Sequence, residues 1–384
     1  MFSRLRDFLN RHKRKFIVSG IVIGSLVFLT RYTQRKLREW QEKEVNDLLE
    51  RSRRRQHFES TERTCNQTIL SLATALRESV IKALDTDAVI NKLRSGCQDK
   101  VETWNTLKVL AISRSATIIY AYAMLVTSLR IQLNLVGGYM FKNSKNQNTV
   151  APMSGPSLEK YLTLCEYFMD EGVEKLGSLI QQKVKQITDA TSLTDQLALR
   201  DLEQIYWAIV SSISADNSRD PVKNLSTYML STNCENEADD TLSRIIKETL
   251  DLMESEEVQT LMRTIIRSGF VLVMDHISEY FTCTPPVTNG VKPAEKNTPL
   301  PGSSKESETF WADSVEQPIN SFDMDGFLNL NKITMPVAKI IPIINGQVPD
   351  ISTQGDVPSD WLQRLILNEK LKALGANIYE AFSF

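Results

Sequence analysis

The apolar positions of this chain fall into one uninterrupted block and a series of helical repeats. The block comes first. Phe16 to Thr30, FIVSGIVIGSLVFLT, carries no charge, and Arg11-His12-Lys13-Arg14-Lys15 precede it while Arg31, Arg35, Lys36 and Arg38 follow. As a helix this stretch rises roughly 22 Å, whereas a hydrocarbon core of about 30 Å asks for around 20 residues. Lys15 and Arg31 extend the reach by snorkelling, Tyr32 suits the interface, and a thin bilayer shortens the span required. A secretory signal shares the basic start and short apolar core. No small-x-small cleavage site follows, however; Thr30-Arg31-Tyr32-Thr33-Gln34-Arg35 is a poor substrate for removal. The pattern predicts an uncleaved transmembrane anchor over 16–32 behind a basic targeting segment over 1–15. Gly20 and Gly24 form a G-x-x-x-G, which is either a helix-contact face or two small residues in an apolar run. Both flanks are basic, so charge bias leaves the orientation open.

Beyond the anchor the periodicity is helical almost throughout. Thr33 to Ser60 is charged, with sparse apolar positions at Leu37, Trp40, Leu48 and Leu49, and reads as a stalk helix entering the body. Ile69, Leu72, Ala73, Leu76, Val80 and Ile81 recur at i, i+3, i+4 spacing, the mark of an amphipathic helix. Asp99 and Glu102 suit the N-cap of the next helix, which runs through Trp104, Leu107 and Leu110 to Leu135 and is expected to stop at Gly137-Gly138. Its uncharged stretch Ser115 to Leu129 equals the anchor in length. It contains Ser115, Thr117, Thr127, Ser128 and two tyrosines, and the pattern continues past Arg114 and Arg130. A helix buried on all faces of a bundle fits it better than a second span.

A polar loop is expected at 143–156. Amphipathic helices follow over 157–187 and 193–213, then a loop-rich stretch over 216–240. One or two helices are expected over 241–281, with a break at Glu254-Ser255-Glu256-Glu257. The segment from about 282 to 331 is rich in Pro, Ser, Thr, Asn and Lys and reads as a flexible loop. A final helix follows Pro358 to Phe382. No alternating strand or internal repeat is visible. The fold class is all-α, an elongated bundle of long helices behind one N-terminal transmembrane helix, with residues 33–384 as a helical body that forms one domain or two helical subdomains.

Charge sharpens this picture. The chain of 384 residues has a net charge of −2, but the part through Arg55 carries +9 and the remainder −11. The basic end lies beside the anchor, so anionic membrane lipids or a targeting receptor are its natural partners. The acidic remainder argues against nucleic acid. Cys65, Cys97, Cys165, Cys234 and Cys283 are odd in number and scattered, as expected of reduced thiols in a cytosol-facing body. Sequons at Asn66 and Asn224 matter only if the body is lumenal.

Catalytic chemistry is not legible. His12, His57 and His276 stand apart from any metal-ligand spacing, and neither a phosphate loop, a dinucleotide fingerprint nor a nucleophile elbow occurs. No metal and no cofactor is expected. The pattern favours an anchor, adaptor or receptor over an enzyme. A tether between organelles and a membrane-anchored enzyme with an unrecognised site stay open as alternatives.

Particular residues go further. His57-Phe58-Glu59-Ser60 with Arg63-Thr64-Cys65-Asn66 resembles a signature of the peroxisomal biogenesis factor 3 family, peroxin three. So do Trp104-x-x-Leu107-Lys108 with Arg114-Ser115, Leu129 to Asn134 through Gly137-Gly138-Tyr139, Pro336 to Gln347, and Asn377 to Ser383. The blocks follow in order along the whole chain and depart from the family only in the polar loops. The resemblance implies a non-enzymatic docking receptor at the peroxisomal membrane, single-pass, with the bulk of the chain facing the cytosol. It implies a partner, the peroxin-nineteen-type chaperone that carries newly made peroxisomal membrane proteins, bound through an amphipathic helix. Inheritance or tethering factors are further partners of the family. The implied binding positions are Leu93, Lys100, Trp104, Leu107 and Lys108. Trp104, Leu107 and Lys108 stand at i, i+3, i+4 on one helix face, and an aromatic beside aliphatics makes an anchor pocket for a helix. Lys100 and Lys108 would meet acidic residues of the partner, unless they are merely solvated, and Trp104 is otherwise ordinary core.

Overall fold

A computed structural model describes residues 13–96, 98–145, 155–230, 240–281, 333–351 and 355–383. Arg11 and His12, expected to serve in targeting, lie outside the described residues, as do the expected flexible loop over 282–331 and parts of the expected loops over 143–156 and 216–240. Helix α1 is continuous from Lys13 to Ala83. It joins in one element the segments expected to be anchor, stalk and body, and every described side chain from Phe28 to Leu49 is exposed. Lys13, Arg14 and Lys15 lie on its first turn. Helix α2 (Thr86–Arg94) follows, its N-cap Asp85 accepting from the Ala88 N–H at 2.9 Å. Helix α3 runs Lys100–Lys145. Asp99 caps it as expected, accepting from the Glu102 N–H at 3.0 Å.

The chain divides into two compact units. One holds residues 1–65, 133–150 and 376–384; the other holds 66–132 and 151–375. The smaller unit is built on aromatic packing. His57 shares a 2.9 Å hydrogen bond with the Tyr379 hydroxyl, Phe58 lies 5.2 Å from the Tyr379 ring, and Tyr139 lies 5.4 Å from Phe382. The expected stop at Gly137-Gly138 does not occur. These glycines sit inside α3 because a Cβ on Gly137 would come within 2.8 Å of Thr61, and one on Gly138 within 2.9 Å of the Tyr379 carbonyl. They allow close approach rather than ending the helix.

The larger unit wraps around α3. Ser115 to Leu129 is buried throughout, and the most apolar 18 residues of the helix are 94% enclosed by protein. Among the described residues searched, this is the helix long and apolar enough to cross a membrane, and its burial identifies it as the core helix. Ile69, Ala73, Leu76 and Val80 of α1 turn into the same core. Trp361 is almost wholly buried and donates its indole N–H to the Ile119 carbonyl at 3.2 Å. The polar edges of the uncharged stretch find partners: Ser115 meets the Tyr206 hydroxyl at 2.8 Å, and Arg130 donates to Asn66 Oδ1 at 2.8 Å.

The remaining elements correct several boundaries. The helix expected over 157–187 is broken into α4 (Gly155–Leu162), α5 (Leu164–Tyr167), a π-helical turn (Phe168–Gly172) and α6 (Val173–Thr188). At the turn the backbone runs so close to Tyr228 that a Cβ on Gly172 would stand 2.3 Å from its carbonyl oxygen. Strand β1 (Gln196–Ala198) replaces the first turn expected of α7 (Leu199–Ala215). It pairs antiparallel with β2 (Thr334–Pro336), so a short strand pair exists where none was expected. Helix α8 covers Leu225–Met229. The break near Glu254 is real. Helices α9 (Asp240–Met253) and α10 (Glu256–Ser278) meet there, and Ser255 caps the second by accepting from the Val258 N–H at 3.3 Å. Helix α11 is Val337–Gly346. The single C-terminal helix becomes α12 (Val357–Ile366) and α13 (Glu369–Ser383), because Asn368 caps a new start by accepting from the Lys370 and Leu371 N–H groups.

Candidate functional site

Four of the five positions implied by the resemblance line one cleft in the larger unit. Ile90, Leu93 and Arg94 of α2 form one side of it, spaced at i, i+3, i+4 so that one helix face supplies all three. Lys100, Trp104 and Leu107 come from the first two turns of α3, at i, i+4 and i+7. Pro342, Asn345 and Gly346 at the end of α11 complete the lining. The enclosed volume is about 540 Å³. That suffices for several apolar side chains of a bound helix, while the helix itself lies outside.

Burial grades the residues by role. Leu107 is 3% exposed and closes the floor. Trp104, Leu93 and Ile90 are half-buried, so each keeps apolar surface for a ligand. Lys100 and Arg94 are exposed at the rim, and no acidic residue is among those lining the cleft. The chemistry on offer is an apolar cavity with a cationic edge. It suits an amphipathic segment whose apolar residues enter while its carboxylates face outward.

Lys108 is not part of this cleft. It is only 4% exposed, and its ammonium donates to the Thr188 carbonyl at 2.9 Å and the Thr191 carbonyl at 2.6 Å. Burial holds its pKa below the ordinary lysine range, although Asp189 and Asp195 pull the other way. A lysine at the C-terminal carbonyls of α6 satisfies groups that the helix leaves open and complements its dipole. Lys108 thus stands one residue past Leu107 but about 100° around the helix, on a face turned into the protein. The expectation that Trp104, Leu107 and Lys108 act together divides between a cleft and a helix cap.

Sequence inspection missed Ile90, Arg94, Pro342, Asn345 and Gly346. For the first two a signal existed, the i, i+3, i+4 pattern with Leu93. For the last three, Pro336 to Gln347 stood out as a family block, but nothing local says that it meets α3 more than 230 residues earlier. Elsewhere, both sequon amides are engaged in hydrogen bonds. Asn66 Oδ1 accepts from Arg130, and Asn224 Nδ2 donates to the Asn217 carbonyl at 3.0 Å. Cys65 and Cys165 are buried and form no disulfide. Burial pushes the Cys165 thiol up to about 12, tempered by its hydrogen bond to Gln132. Among the described residues no group of three or more His, Cys, Asp or Glu is arranged to hold a metal ion.

The chain matches the family described as Peroxin-3 over residues 7–101, 97–144 and 141–381. It is 33% identical over 402 residues to the protein named peroxisomal biogenesis factor 3 of Mus musculus, covering 100% of this chain and 98% of the relative. The Homo sapiens protein of the same name is 31% identical over 403 residues, with the same coverage. That of Yarrowia lipolytica is 23% identical over 379 residues, covering 77% of this chain and 86% of the relative.

Proposed function

This chain belongs to the Peroxin-3 family of peroxisome biogenesis factors, and on that premise we propose that it is the peroxisomal-membrane docking receptor for a peroxin-nineteen-type chaperone. The observation that carries this is the cleft. Leu93, Trp104 and Leu107 converge from two helices on one apolar cavity, and Lys100 stands at its rim. An amphipathic helix of the chaperone seats its apolar side chains there, while carboxylates on its flank meet Lys100 and Arg94 and speed encounter. No step of bond chemistry is required, only reversible capture.

The basic, apolar N-terminus serves as targeting segment and single-pass anchor, with the body in the cytosol. The reduced, buried Cys65 and Cys165 support that orientation. The test is capture of the chaperone by the full-length chain in detergent, set against Trp104→Ala. Retained binding by a folded variant refutes the site. Failure of the full-length chain to bind refutes the receptor function itself.

A further inference from the structure

Two walls of the cleft, α2 and α3, follow one another in sequence, the third, α11, comes far later, and a single buried guanidinium ties them together. Arg114 lies on α3 two turns beyond Leu107 and is 2% exposed. Its Nη1 donates to Thr86 Oγ1 at 2.7 Å. Thr86 is the first residue of α2, whose next two turns supply Ile90 and Leu93. The Nη2 of Arg114 donates to the Asp350 carboxylate. Asp350 stands four residues past Gly346, the end of the wall formed by α11. Asp87 of α2 stands beside the same carboxylate, and that neighbour, with burial, holds the Asp87 pKa above its ordinary value.

A second arginine fixes the segment that leaves this junction. Arg77 of α1 donates to the Pro349 carbonyl, and to Asp356 at 2.9 Å. Asp356 in turn caps α12 through the Ser359 N–H at 2.8 Å. Asp350 and Asp356 are thus each held by an arginine, the first pair with its carboxylate half exposed and the second buried. A planar guanidinium satisfies two acceptors at a fixed separation, which a flexible ammonium does not.

We propose that Arg114 is a positioning residue for the cleft: by holding Thr86 and Asp350 at fixed separation it sets the distance between α2 and α11, and hence which side chains enter beside Trp104. The proposal rests on the docking site described above, but its physical content, the width of the cleft, can be measured without a partner.

The experiment uses the full-length chain in detergent. Cys97, Cys234 and Cys283 are replaced by Ser, and spin labels are placed at Arg94→Cys and Gly346→Cys on opposite rims; Gly346 has open space for a side chain. Pulsed electron–electron double resonance gives the distance across the cleft, and titration calorimetry on the unlabelled chain, with Arg94 and Gly346 intact, gives the affinity for a synthetic peptide of the chaperone's N-terminal helix. Asp350→Ala and Thr86→Val each remove one acceptor. The expected result is a broader or displaced distance distribution in both, with an affinity loss of about tenfold for Asp350→Ala.

Arg114→Met combined with Asp350→Ala separates positioning from stability. Removing both partners leaves no unpaired guanidinium in the core and so restores much of the melting temperature, while the cleft stays unset and the affinity stays low. An unchanged distance distribution in Asp350→Ala overturns the proposal. So does recovery of affinity together with melting temperature in the double variant. If the peptide binds no form of the chain, the docking function fails, and the distance measurement still decides the role of Arg114.

Discussion

Replacing Trp104 by Ala separates a binding anchor from a core residue. Trp104 is half-buried on the cleft wall, whereas Trp361 is 2% exposed and donates to the Ile119 carbonyl. If the free face of Trp104 is the contact area for a helix, its truncation costs at least ~2 kcal/mol of binding, about a thirtyfold rise in Kd. The fold loses less, because part of that side chain already faces water. Trp361→Ala supplies the other limit: a buried indole with a hydrogen bond is worth roughly 3–5 kcal/mol of stability. Calorimetric titration with the helical peptide and melting curves of the same two variants give opposite pairs of results. Trp104→Ala is expected to melt close to the parent chain and bind weakly. Trp361→Ala is expected to melt far lower, with affinity preserved in the fraction that remains folded. A Trp104→Ala chain that melts as low as Trp361→Ala and binds like the parent refutes the assignment.

Lys108→Met removes the ammonium that caps α6 and is expected to cost about 1–3 kcal/mol of stability while leaving peptide affinity and its salt dependence unchanged; a pure loss of association rate would return Lys108 to the cleft. Gly269→Ala puts a Cβ 2.5 Å from Ile119 and 3.0 Å from the Trp361 ring, so melting should report a loss of about 1–3 kcal/mol from overpacking. Burial lowers the pKa of His57 from its ordinary value of 6.5. Its neutral form is thus favoured in the fold, and the resulting stability is complete above the ordinary value and declines as pH falls below it. Melting curves between pH 7 and pH 5, compared with His57→Gln, should show the parent losing its advantage on the acid side.

Much of this was legible in the chain itself. Period-3.6 spacing in α1, the cap at Asp99 and the break at Glu254-Ser255-Glu256-Glu257 are local properties, and each survives in the fold. The uncharged stretch Ser115 to Leu129 also declared its fate, since its pattern runs on past Arg114 and Arg130, whose charges find partners in protein that lipid does not offer. What escaped was set by contacts distant in sequence. Gly137-Gly138 carries a strong stop signal, yet Thr61 and Tyr379 require small residues there. Thr163, the π-helical turn and Asn368 break helices whose apolar spacing runs on without interruption. Lys108 shared a nominal face with Trp104, and only the carbonyls at the end of α6 show where its charge is satisfied. The side of the cleft built by α11 was invisible for the same reason.

The pairing of β1 with β2 has a consequence for the cleft. β1 leads directly into α7 and β2 directly into α11, so three residues on each side set the starts of two helices side by side. The first N–H groups of α11, which the helix itself leaves open, donate across the junction: Val337 to the Asp195 carbonyl at 3.0 Å and Ala338 to the Leu193 carbonyl at 3.1 Å. A slip of one residue in the strand register would turn its side chains to the opposite face and pull these bonds apart. The pair is thus the hinge pin of a cleft wall: it fixes where α11 begins, and with it where Pro342, Asn345 and Gly346 stand.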